Sequence, residues 1–263
     1  MGDNGPIISE ESGGITTNYT LLEALAIPIP DNLESFGQIT VKYFDQNVLE
    51  FLHQISGLFQ KELVVELRLN SNNADVIRQL WALLQDNIWG LIIDDASLAL
   101  LRQHVSPSVL CNTLNLCKIK TTGIVPEIPN SDNENSSDSQ ELFKWLHGAE
   151  FGRPMHLKCA TLSEQGDTAF RQATTPALYI FDLGELSPAE TIIGRFPMEN
   201  TIGEQMTLTD LDGDSAFYVL KRGPADERIG TMDEWGPGDL ENAEENFLIL
   251  DVDDALMGHF APL

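Results

Sequence analysis

Strand-like runs begin at Gln38, Leu63 and Ile88, about 25 residues apart, and an amphipathic helix pattern fills each gap. In the first run Ile39, Val41 and Tyr43 alternate at strand period. Val48, Leu49, Phe51, Leu52, Ile55, Leu58 and Phe59 then form a broad apolar stripe, with Asp45 where an N-cap belongs. Leu63–Leu69 reads as the second strand, Val76–Leu84 as the second helix, Ile88–Ile93 as the third strand and Leu98–Val105 as the third helix. A short helix from Pro107 to Leu114 leads to a strand at Cys117–Lys120, and later strands begin near 155 and 177. Recurring strand–helix units of this length predict an α/β fold, a mostly parallel sheet with helices behind it. The period is that of leucine-rich repeats, but L-x-x-L-x-L-x-x-N is absent, so the units are irregular and only leucine-rich-repeat-like. A doubly wound α/β sheet is the alternative.

The pattern changes further along. Residues 123–139 form a long loop rich in Asn, Ser and acids, followed by a helix over Gln140–His147 with Asp138 or Ser139 as cap. A helix over 168–173 and a strand over 178–183 come next. Short strands at Ile192–Phe196, Gln205–Leu208 and Ala216–Leu220 predict a small antiparallel cap near the C-terminus. Phe247–Leu250 is a last strand signal. The expected division is a disordered acidic segment over 1–35, a repeat-like α/β binding domain over 36–225, and an acidic tail over 226–263.

Charge limits the function classes. Fifteen Lys+Arg against 41 Asp+Glu give −26, a field that repels phosphate backbones and anionic membranes. No Lys or Arg precedes Lys42 or follows Arg228; six acids lie in the first 35 residues and nine from Ile229 onward. Such a surface serves solubility or a basic protein partner, and neither nucleic acid nor membrane is expected. No apolar stretch approaches the roughly 18 residues of a spanning helix, and the opening residues lack the basic and apolar regions of a signal peptide. Cys111, Cys117 and Cys159 are odd in number and have no CxxC spacing, which fits reduced thiols in cytoplasm or nucleus.

Local motifs offer little chemistry. Asp210-Leu-Asp212-Gly-Asp214 resembles the start of a calcium loop, but Ser215 stands where its glycine belongs and Lys221 where its last glutamate belongs. A hairpin turn explains the same residues. His53, His104, His147, His156 and His259 are scattered, none in HExxH or at zinc-ligand spacing with cysteine. No GxSxG, GxxxxGK[ST] or GxGxxG occurs, so no cofactor or metal and no catalytic residue is assigned.

The loop and the helix after it carry a family pattern. Pro126-Glu-Ile-Pro129, Asp132-Asn133, Ser136-Ser137, Gln140, Lys144-Trp145-Leu146-His147, Gly152-x-Pro154 and Cys159 lie in one run. Val105–Leu110 precedes it; Asn200–Leu208, the block Phe217–Glu227 and Trp235 follow. In order and spacing, from Ile27 to Trp235, these blocks resemble a nematode family of F-box proteins. The resemblance implies a repeat-like region that receives a substrate, joined to an F-box that binds the linker subunit of a cullin ubiquitin ligase. Two departures stand out. The acidic segment 1–35 holds no recognisable F-box, and Gly236–Glu245 is acidic where the family is rich in Trp, Arg and Lys.

The expectation is therefore a non-enzymatic protein-binding domain like the substrate-receiving half of F-box proteins. Binding would use the exposed sheet face and the 124–139 loop, with Glu127, Asp132, Asn133, Trp145 and His147 as candidate contacts. Loop solvation, or core packing for Trp145, explains these residues equally well. One alternative is a ligase substrate adaptor whose degenerate F-box includes Leu21–Ala26; another is an enzyme with a non-local active site, recognisable by a deep pocket of convergent polar groups.

Overall fold

The computed structural model describes residues 7–12, 15–20, 35–60, 62–128, 136–147, 155–159, 168, 177–182, 198–199, 205–210, 217–222, 246–258 and 260. The chain is α/β. Strands β1 (Ile7–Ser12) and β2 (Ile15–Thr20) pair antiparallel as a separate two-stranded sheet. That hairpin falls inside the segment expected to be disordered, where Ile7-Ile8 and Ile15-Thr-Thr supply β-branched residues.

The main sheet is built from β3 (Gln38–Val41), β4 (Leu63–Asn70), β5 (Ile88–Asp94), β6 (Lys118–Thr122), β7 (Met155–Cys159), β8 (Ala177–Asp182), β9 (Met198–Glu199), β10 (Gln205–Asp210), β11 (Phe217–Arg222) and β12 (Phe247–Asp253). Their order is β3-β12-β4-β5-β6-β7-β8-β11-β10-β9. Neighbours from β3 to β8 are parallel; β8–β11, β11–β10 and β10–β9 are antiparallel, which is the expected cap. Asp210 pairs with Tyr218 across β10 and β11, as a hairpin requires; Asp212, Asp214 and the strand expected at Ile192–Phe196 lie outside the described residues.

Between the parallel strands run α1 (Gln46–Ile55), α2 (Ala74–Leu84), α3 (Asp95–His104) and α4 (Asp138–His147). Each starts on a side-chain cap. Asp45 accepts from the Val48 N–H at 2.9 Å, Asn73 from Val76 at 3.3 Å and Asp94 from Ser97 at 2.7 Å. At α4 the cap is Ser137, one or two residues before the expected position. Its hydroxyl accepts from the Gln140 N–H at 3.2 Å while the Gln140 side chain accepts from the Ser137 N–H at 3.1 Å, a reciprocal capping box. The expected helix over Pro107–Leu114 is instead a series of turns, closed by Val109 N–H to Ser106 O and Asn112 N–H to Ser108 O.

The four described helices pack on the same side of the sheet. Leu63, Val65, Leu67 and Leu69 of β4, Leu91 and Ile93 of β5, Ile119 of β6 and Leu157 of β7 join the apolar helix faces in one core. Period two sends the residues between them to the opposite face, where Val64 and Phe247 pack with Trp89, Ile92 and Ile249.

The acidic C-terminal tail needs correction. Residues 246–258 belong to the sheet: β12 lies between β3 and β4, and Leu248, Leu250 and Val252 are fully buried on the helix side. Period two explains how an acidic segment can do this, because Asp251 and Asp253 alternate with the apolar residues and point away from the core. Asn246 starts the strand in a left-handed conformation (φ 55°), accepting from the Phe36 N–H at 3.2 Å and, through its carbonyl, from the Val64 N–H at 3.0 Å. At the other end Gly258 passes so close to Tyr43 and Asp45 that a Cβ would collide with the Tyr43 hydroxyl.

Candidate functional site

The face of the sheet opposite the described helices carries polar groups that the core excludes. On β6, Lys118 and Lys120 alternate with Ile119, which is in the core. A register shift between β4 and β5 leaves Trp89 opposite no residue, because Leu63 pairs with Ile88 and Val64 with Gly90. The indole lies beneath Lys118, whose Nζ stands 4.2 Å from the ring centroid, an attraction strengthened because Lys118 is only 6% exposed. Toward the carboxyl ends of the strands, Glu66, Arg68, Ile92, Asp94, Lys120 and Thr122 line a shallow depression of about 200 Å³. Open α/β sheets bind ligands at these strand ends. Glu66 and Arg68 form an ion pair there, with the Arg68 side chain half exposed. Surface pairs of this kind contribute about 0–1 kcal/mol, so the guanidinium can exchange Glu66 for an incoming carboxylate at small cost. Two cations, two carboxylates and the apolar Ile92 thus meet in one depression.

Of the residues expected to make contacts, the described Glu127, Trp145 and His147 do not line this depression. Glu127 is half-buried, and its N–H donates to the Ser139 carbonyl at 3.1 Å, closing the loop onto α4. Asp132 and Asn133 lie outside the described residues. Trp145 is a correction: it is 0% exposed and packs in the core with Leu142 and Leu146, because its place on α4 faces the sheet. His147, at the end of the same helix, is half-buried with its ring tilted on Phe143 at 4.7 Å.

The same helix holds a buried acid that the sequence does not single out. Glu141 is 0% exposed, and one carboxyl oxygen accepts from the N–H groups of Leu110 at 3.1 Å and Cys111 at 3.3 Å. Its other oxygen and the Nε1 of Trp145, one turn later, have no hydrogen-bond partner. Burial pushes the Glu141 carboxyl above its ordinary value, against the pull of the Cys111 and Leu110 hydrogen bonds and the Arg102 charge. In a chain with 41 acids nothing local marks this one; its only sequence signal is its place one residue before Leu142 and one turn before Trp145 on the apolar side of α4. Arg102 ties the neighbouring elements together, pairing with Asp138 and donating to the carbonyls of Ser136 and of Pro107, the last at 3.0 Å.

A second depression of about 370 Å³ lies where the end of α1 meets α2, lined by His53, Ser56, Gln79, Ala82, Leu83 and Asn87. It is wide open to solvent. Among the described residues no three His, Cys, Asp or Glu side chains gather as metal ligands, and no helix is long and apolar enough to cross a membrane. No protein-family model, curated protein or solved structure matches the chain.

Proposed function

We propose that the chain is a non-enzymatic protein-binding domain with a leucine-rich-repeat-like core, related to the substrate-receiving half of F-box proteins and acting in cytoplasm or nucleus. The observation that carries this reading is the one-sided placement of the described helices: among the described residues, the opposite face over β4–β6 is left to Arg68, Lys120, Glu66, Asp94 and the apolar Trp89 and Ile92. A doubly wound sheet would carry helices on both faces. Consecutive strands β4 to β8 are also spatial neighbours joined in parallel, as in stacked strand–helix units. The insertion of β12 between β3 and β4 makes the first unit irregular. The collinear blocks from Val105 to Trp235 support the F-box kinship.

The test is affinity purification from nematode extract with the full chain and with a chain beginning at Leu33. Recovery of the same proteins by both, without the linker or the cullin, supports a free-standing binder. Linker and cullin captured only by the full chain would assign an adaptor role to the N-terminal segment. Failure of both chains to retain any protein above a charge-matched control refutes the binding reading.

A further inference from the structure

We propose that the depression between α1 and α2 binds a small neutral polyhydroxyl ligand, a free sugar or the terminal sugar of a glycan. The site lies on the helix side of the molecule, away from the sheet face of the protein-binding reading, and stands independently of it.

Helical spacing assembles the site. On α2, Val76, Ile77, Leu80, Trp81 and Leu84 are buried, so Gln79, Ala82 and Leu83, at i, i+3 and i+4, form a row beside that face. On α1, Leu52 and Ile55 are buried, which leaves His53 and, one turn on, Ser56 to meet that row. Asn87 follows α2, its N–H held by the Leu84 carbonyl at 2.9 Å. Together these residues line a depression of about 370 Å³, a volume within the roughly 300–1,000 Å³ of small-molecule sites. The Ser56 hydroxyl donates to the His53 carbonyl at 2.7 Å and keeps its lone pairs. Among the described residues, none bonds to the His53 ring or to the carboxamides of Gln79 and Asn87.

The lining decides the class of ligand. A neutral imidazole, a hydroxyl and two carboxamides each accept hydrogen bonds, and the imidazole and carboxamides also donate them, which matches sugar hydroxyls that do both. Ala82 and Leu83 add apolar surface for the C–H face of a sugar ring. A cation would call for a carboxylate, yet in a chain with 41 Asp+Glu none of the described lining residues is acidic. Charged groups of the two helices are engaged elsewhere: Asp75 pairs with Arg78 at 2.9 Å, and Glu50 accepts from Gln46 at 3.5 Å. An anion is opposed by the net charge of −26 and by the carbonyl ends of α1 and α2, which finish at Ile55 and Leu84. A wholly apolar ligand would leave the polar groups without partners. A sugar can keep its outer hydroxyls in water, so an open site suits it at modest affinity.

The experiment measures saturation-transfer NMR on the full chain with glucose, N-acetylglucosamine and methyl β-glucoside. Glucuronate and spermidine serve as charged probes, and the series is repeated with Gln79→Ala, Asn87→Ala and the double variant. Saturable transfer to at least one neutral sugar is expected, with a Kd on the order of millimolar. Each single change should weaken it roughly threefold and the double change roughly tenfold or more. Binding of methyl β-glucoside as well as glucose identifies a glycan-borne sugar; binding of glucose alone identifies a free one. Transfer to none of the three neutral sugars, or transfer undiminished in the double variant, overturns the proposal. Glucuronate or spermidine binding as tightly as the best neutral sugar overturns the ligand class. Circular dichroism checks folding, and the single variants decide if the double variant is unfolded. Protein capture from extract reads the sheet face separately, so either proposal can fail while the other stands.

Discussion

Glu141 is the residue whose chemistry depends most on its surroundings. A fully buried carboxyl with one unpartnered oxygen favours its neutral form, and its pKa in the folded chain lies above the ordinary 4.5. Below the ordinary value, folded and unfolded chains are both protonated and burial carries no penalty of ionisation. As pH rises past that value the unfolded chain loses its proton while the folded one retains it, so stability falls until pH passes the raised folded pKa. Glu141→Gln keeps an oxygen to accept from Leu110 and Cys111 and removes the proton. Its stability relative to the parent chain should therefore improve with rising pH across that window, read by urea denaturation at several pH values. A parallel pH profile for the two chains would show that Glu141 is not held neutral. Glu141→Leu orphans the buried Leu110 N–H and the half-buried Cys111 N–H and should cost about 1–3 kcal/mol for the first, at every pH.

At the scale of elements, α4 is held by its first residues more than by its own propensity. The Ser137–Gln140 capping box satisfies its first turn, and Arg102 clamps Asp138 and the Ser136 carbonyl to α3. Ser137→Ala should destabilise by about 1 kcal/mol. Arg102→Met, which removes charge-assisted hydrogen bonds, should cost roughly 1.5–3 kcal/mol and raise hydrogen exchange in α4 before α1 or α2. Unchanged exchange in α4 would mean that packing of Trp145 and Leu146 alone fixes the helix. These elements also mark what a sequence can disclose. Strands at 63, 88, 118, 155 and 177 and helices α1 to α4 were legible because period and caps are local properties, whereas the helix expected over 168–173 lies, but for Thr168, outside the described residues. The place of Phe247–Asp253 was not, since which strands accept it depends on contacts some 180 residues distant, such as Leu250 with Leu67. Trp145 illustrates the same limit: the motif marks it, but only the packing of α4 shows that it is core.

For the whole molecule, the order β3-β12-β4 makes the last segment of the chain a structural keystone of the sheet's first edge. β12 pairs along its entire length with β4, and its first four residues pair with β3. Leu248, Leu250 and Val252 place three fully buried side chains in the common core, and large-to-small changes at such Leu positions cost about 2–5 kcal/mol each. Domain stabilities are about 5–15 kcal/mol, so loss of the strand removes much of the total. A chain ending at Glu245 should thus lose its cooperative thermal transition, whereas a dispensable tail would leave the melt unchanged. Leu250→Ala in the full-length chain separates packing from pairing: it keeps the backbone ladder and should lower stability by that side-chain amount while preserving cooperativity. If the truncated chain melts like the full one, β12 adds nothing to the fold and β3 must pair without it. If it fails to fold while Leu250→Ala folds with the stated loss, the β3-α1 edge depends on a strand supplied from the far end of the sequence. Sheet completion then waits for closure of that long loop, which predicts slow refolding relative to the β4–β6 units.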